Sequence, residues 1–132
     1  MTRLMLTALF VLALMHSTAL TASAGKENKT VLRHVVLFKW KEDTTKKQVR
    51  EIEKAFAALP KKIDVIKSFE WGTNNSPEEL DQGFTHCFFV TFADEEGRAA
   101  YLPHPEHKAF VELIKPHMEK VLVFDYWSGK KK

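Results

Sequence analysis

The segment FTHCFFVTFA, residues 84–93, constrains the fold more than any other. Phe84, His86, Phe88, Val90 and Phe92 alternate onto one face, the period of a β-strand laid against a core. Phe89, on the opposite face, is also apolar, so neither face suits open water. Three more segments read as strands. VLRHVVLFKW, residues 31–40, puts Leu32, His34, Val36, Phe38 and Trp40 on one face, and Arg33, Val35, Leu37 and Lys39 on the other. IDVIKSFEWGTN, residues 63–74, is predicted to be extended as far as Gly72, and VLVFDYW, residues 121–127, is the last strand.

The segments between them are helical or polar. In EDTTKKQVREIEKAFAALP, Val49, Ile52, Phe56 and Leu59 recur on one helical face, with Asp43 and Thr44 as candidate caps and Pro60 as the stop. NNSPEELDQG is a polar loop. DEEGRAAYL suggests a short helix, and HPEHKAFVELIKPHM a second with Pro105 in its first turn. The order strand, helix, strand, strand, helix, strand is that of an α+β, ferredoxin-like fold: a four-stranded antiparallel sheet with its helices on one face. The other face carries Val35, Leu37 and Phe89, and its natural cover is a second copy of the chain. The expected assembly is a homodimeric α/β barrel.

The chain begins with MTR, a twelve-residue apolar run LMLTALFVLALM, and HSTALTASA, which ends Ala22-Ser23-Ala24. A charged start, a short apolar run and small residues at the end are the pattern of a secretory signal peptide. The run is short of the roughly 20 residues of a membrane span. The expected organisation is a signal peptide over 1–24, a loose leader over 25–30, the domain over 31–128 and a basic tail over 129–132. It implies export to the periplasm or the medium, with no stable membrane span after cleavage. The net charge is +3 for the whole chain and falls by one with Arg3. So slight an excess gives no footprint for nucleic acid. The lone Cys87 cannot close an internal disulfide. It is expected to be buried beside Phe88 and Phe89, the alternative being an inter-chain link.

The chemistry-bearing stretch is YLPHPEHKAF, residues 101–110. His107, Phe110 and Ile114 share one helical face, which must look at the sheet. His34 shares its strand face with Val36 and Phe38, so His34 and His107 can enter one layer. Pro103 and Pro105 force a bend that can carry the Tyr101 ring back over the helix start. An imidazole can take a proton near neutral pH, and a phenol can donate to a carbonyl oxygen gaining charge. Two readings stand: an acid/base pair on a cavity, or a core tyrosine beside a helix-start histidine. His104 is read as a cap or a surface residue, His86 as a hydrogen-bonded sheet histidine, and His117 as a cation near a helix end. Asp125 is expected to pair with a donor at the sheet edge. Trp40 and Trp71 fit a core or interface role, or else an aromatic wall. His104-x-x-His107 has helical spacing, but nothing nearby completes a zinc set, so no metal is expected.

RHVVLFKW, EWG, GFTHCFFVTF, YLPHPEH and VLVFDYW, in this order, resemble the dimeric α/β-barrel family of stress-responsive A/B barrel (Dabb) domains, and within it the plant polyketide cyclases. The resemblance spans Val31 to Trp127. It implies a small-molecule cavity between sheet and helices, with His107 as general base, Tyr101 orienting and polarising the substrate, and His34 on the wall. Val36, Phe38, Ile52, Phe56, Phe69, Trp71, Phe110 and Met118 are the other expected ligand contacts. Phe69, Val111 and Met118 depart from the side chains of those cyclases and so reshape the pocket. A lyase or cyclase without cofactor is the enzyme this implies. A non-catalytic dimer with a scaffolding or stress-related role is the alternative. A haem-handling relative ranks last, since no C-x-x-C-H attachment motif is present.

Overall fold

A computed structural model describes residues 30–129. The expected signal peptide, nearly all of the expected leader, and Lys130 to Lys132 of the tail therefore lie outside the described residues. The elements are β1 (Leu32–Trp40), α1 (Lys46–Ala58), β2 (Ser68–Thr73), β3 (His86–Phe92), α2 (Glu95–Tyr101), α3 (Pro105–Ile114) and β4 (Met118–Trp127). The strands form one antiparallel sheet in the order β2-β3-β1-β4, the ferredoxin-like arrangement.

Alternation in β1 and β3 sets the layers. Leu32, His34, Val36 and Phe38 are buried on the helix side, as are His86, Phe88, Val90 and Phe92. Phe56 of α1 stacks on Phe88 with ring centres 4.2 Å apart and meets Phe110 of α3 edge-on at 4.7 Å. Ile52 and Phe56 bury one face of α1 and Leu59 of the following turn extends it, while most of the charged residues of α1 point outward.

Several expectations change at element ends. The cap of α1 is Thr45, not Asp43 or Thr44. Its hydroxyl accepts from the Gln48 amide and the Gln48 side chain returns a bond to the Thr45 backbone, a complete capping box. Pro60 lies inside a single 3-10 turn, Leu59–Lys61, that closes the helix. Residues 63–67 are not part of β2. Ile63 and Ile66, three apart, are both buried from an irregular segment, which seals the core under α1. β4 starts earlier than expected, at Met118, and pairs with β1 along its whole length.

Among the described residues no helix covers the second sheet face. Val35 and Leu37 of β1 lie between Phe89 and Cys87 of β3 and Phe124 and Leu122 of β4. Cys87 is thus on the open face and only partly buried, not in the core, because its position in the β3 alternation is opposite to that of Phe88. Phe124 is 60% exposed, and Leu122 and Tyr126 are also exposed.

Candidate functional site

β4 is one of the two edge strands, and its helix-side residues are incompletely covered. Val121, Val123 and Asp125 lie opposite Phe38, Val36 and His34 in the register. Between these strands and α2–α3 a mostly apolar cavity of about 470 Å³ remains. That volume suits a small molecule.

The α2–α3 junction brings the chemistry to this cavity. Leu102 ends α2, and His104 caps α3 by accepting from the Glu106 amide. Pro105, which has no N–H to lose, occupies the first turn of α3. The resulting sharp bend places the rings of Tyr101 and His107 with centres 4.2 Å apart. His34 reaches the same place from β1, its ring centre 5.9 Å from that of Tyr101. All three side chains line the cavity.

Hydrogen bonds assign the imidazole protons. His107 Nδ1–H donates to the Leu102 carbonyl at 3.0 Å, which leaves Nε2 as the acceptor of the neutral ring. His34 Nδ1–H donates to Asp125 Oδ1 at 2.7 Å, again leaving Nε2 as acceptor. Asp125 Oδ2 accepts from Arg98 Nη1 at 2.5 Å, so the pairing expected of Asp125 is made by two side chains. Burial lowers the pKa of His107 below the ordinary histidine value, the bond to Leu102 working against it and His34 and His104 adding to it. Burial pushes the phenol of Tyr101, 1% exposed, well above its usual range. At neutral pH the site therefore offers an unprotonated imidazole beside a protonated phenol.

This shift has a consequence for stability. With its pKa depressed in the fold, His107 binds its proton more weakly there than in the unfolded chain. Its contribution is lost as pH falls through the ordinary histidine value of about 6.5 and on to the lower folded value. Wild type should therefore lose stability between neutral and mildly acidic pH more steeply than His107→Gln. Chemical unfolding at a series of pH values checks this, and parallel curves would contradict it.

Of the residues expected on the wall, His34, Val36, Phe38, Phe56, Tyr101, His107, Phe110 and Met118 are there. Three are not. Ile52 is fully buried under α1. Phe69 stacks on Phe56 at 5.3 Å, away from the cavity. Trp71, on edge strand β2, stacks on Phe88 and lies parallel to His86. All three share the helix-side face of the sheet or its cover, but they lie toward β2, whereas the cavity is toward β4. Val111, expected to reshape the pocket, is on the wall, which also includes Arg98, Val121, Val123 and Asp125, not among the expected ligand contacts.

His86 lies apart from this cavity. Its Nδ1 accepts from Trp40 Nε1 at 3.0 Å and its Nε2–H donates to Glu53 at 3.0 Å, which makes it a satisfied sheet histidine. Among the described residues no group of three or more His, Cys, Asp or Glu side chains is arranged to hold a metal ion, and no helix is long and apolar enough to cross a membrane.

Comparison with known proteins adds four likenesses. The family profile described as Stress responsive A/B Barrel Domain matches residues 32–128. Stress-response A/B barrel domain-containing protein HS1 of Arabidopsis thaliana is 38% identical over 76% of this chain and 93% of its own length. Olivetolic acid cyclase of Cannabis sativa is 32% identical over 75% of this chain and 98% of its own. The solved structure of hydroxynitrile lyase from Passiflora edulis superposes with a TM-score of 0.72 at 26% identity, covering 77% of this chain and 96% of that one.

Proposed function

The chain belongs to the stress-responsive A/B barrel domain family, and on that premise we propose that it binds a small, largely apolar carbonyl compound in the cavity and acts on it by acid/base chemistry. One observation carries the reading: Tyr101, His107 and His34 converge on a mostly apolar cavity of about 470 Å³. His107 Nε2 takes a proton from the carbon next to the carbonyl. The electron pair left behind moves to the carbonyl oxygen, where the Tyr101 hydroxyl donates as charge develops. The enolate carbon then attacks a second carbonyl carbon, and the alkoxide that forms takes up the proton held on His107; in the cleaving direction His107 Nε2 takes the hydroxyl proton, the carbon–carbon bond breaks, and the enolate carbon receives that proton back. Two of the relatives found by comparison are named as a cyclase and a lyase, which supports carbonyl chemistry on this fold.

The test is a binding screen of β-polyketones and other small carbonyl compounds by calorimetry or ligand-detected NMR. Saturable binding that is abolished by Val123→Trp, a substitution that fills the cavity from its rim, supports the reading. No binding by any compound, or binding indifferent to that substitution, would leave the domain as a non-catalytic dimeric scaffold.

The same proposal includes a homodimer closed over the open sheet face, on which Phe124, Leu122 and Tyr126 are exposed beside Val35 and Leu37. Phe124→Asp is expected to convert the dimer to monomer, because it places a charge on that apolar face beside Val35. Sedimentation at several concentrations checks this, and an unchanged dimer would show that the contact lies elsewhere. Export also belongs to the proposal. It is supported by the charged start, short apolar run and Ala22-Ser23-Ala24 site, and fractionation of cells with N-terminal sequencing of the mature protein tests it.

A further inference from the structure

Most of the cavity wall is apolar: Val36, Phe38, Phe110, Val121 and Val123 among others. Arg98 is the exception that the acid/base reading leaves unused. It lies on α2 three residues before Tyr101, so guanidinium and phenol project from the same helix face. Its Nη1 donates to Asp125 Oδ2, and the other oxygen of that carboxylate is taken by His34. Arg98 is partly exposed, and that bond is one of five a guanidinium can donate. Both oxygens of Asp125 are engaged by these two partners. The bond to Asp125 does not commit the other N–H groups of Arg98, and Tyr101 lines the same cavity, so both can donate to an acceptor supplied by a ligand.

An arginine present only to neutralise Asp125 would add little, because partly exposed ion pairs are weak. A planar fork on the wall of an apolar cavity, beside a phenol donor, instead fits a ligand oxygen that carries negative charge. We propose that Arg98 makes the polar end of the cavity a subsite for an anionic oxygen, so that the ligand is an amphiphile with a carboxylate or enolate head and an apolar body. This rests on the cavity being a ligand site and names the class of ligand it takes. Asp125 is a positioning residue in this arrangement. It orients Arg98 and His34 together through its two oxygens.

The test compares para-butylbenzoate with para-butylbenzamide, which has nearly the same shape and no charge. Wild type should bind the carboxylate at least about tenfold more tightly, the size of one charge-assisted hydrogen bond in a partly dry site. Arg98→Met should erase that preference while leaving the affinity for the amide within about twofold, and Arg98→Lys should keep part of it. Near-ultraviolet circular dichroism verifies that each variant is folded, and the wild-type comparison needs no variant at all. Equal affinity for the two compounds in wild type, or a preference that survives Arg98→Met, overturns the subsite and leaves the ligand cavity standing. Failure of both compounds to bind overturns the subsite together with the cavity reading on which it rests.

Discussion

Replacing Phe56 by alanine is expected to destabilise the fold by about 3–5 kcal/mol, the range for emptying a buried aromatic site. Phe56 is 2% exposed and sits where four elements meet. Its ring lies on Phe88 of β3 at 4.2 Å, against Phe110 of α3 at 4.7 Å and on Phe69 of β2 at 5.3 Å. Removing it deletes three aromatic contacts at once and opens a void continuous with the cavity. Collapse cannot fill that void cheaply, because Phe88 is held by the sheet ladder and Phe110 by α3. Phe56→Leu should cost far less, on the order of 1–1.5 kcal/mol, because most of the volume is kept. Urea unfolding would show the difference as a lower midpoint at unchanged slope. A loss below about 1 kcal/mol for the alanine variant would mean that the aromatic stack is not what joins helices to sheet.

The second large effect concerns chemistry. On whichever carbonyl compound the wild type turns over, His107→Gln is expected to lower kcat by about 10²–10⁴-fold, the contribution of a positioned general base. Glutamine can still donate to the Leu102 carbonyl, so the local backbone keeps its partner. It cannot take up a proton. Ligand affinity should therefore change little while turnover is lost, and a fall confined to KM would instead mark His107 as a binding group. Tyr101→Phe provides the companion measurement. It removes the hydroxyl and keeps the ring against His34 and Phe92. Full activity in the His107→Gln protein would end the acid/base proposal.

Much of the fold was legible because its strongest strands alternate cleanly. β1 and β3 each place four buried residues at a period of two, and β1 ends within a residue of where the pattern ends. Residues 63–67 misled because isoleucine and valine suit a strand as well as any buried turn. The spacing of Ile63 and Ile66 by three was the contrary signal. The cap at Thr45 was also readable in principle: Gln48 stands three residues after it, as a capping box requires.

The site was legible in its local part. Tyr101 and His107 belong to one segment whose prolines dictate a bend, and His34 follows from the face of β1. The wall was harder. Alternation tells which face of a sheet a residue takes, but not how far across the sheet it lies. Ile52, Phe69 and Trp71 therefore looked as eligible as Val121 and Val123. Arg98 reads in sequence as one more charge on a short solvated helix. Only Asp125, arriving on a strand that pairs with β1 from the far end of the chain, distinguishes it.

The bend at Pro105 has a consequence for how such a site can change. The phenol and the imidazole that would do the chemistry lie six residues apart on one continuous stretch. The groups that shape the space around them come from strands and helices far apart in the chain: His34 and Asp125 are separated by 91 positions. The reactive pair is therefore inherited as a unit, while each wall residue varies on its own. A lineage can exchange valines and phenylalanines around the cavity and so change the molecules admitted without disturbing the reaction. The same division tells a protein engineer to leave residues 101–107 untouched and to search for new selectivity on β4.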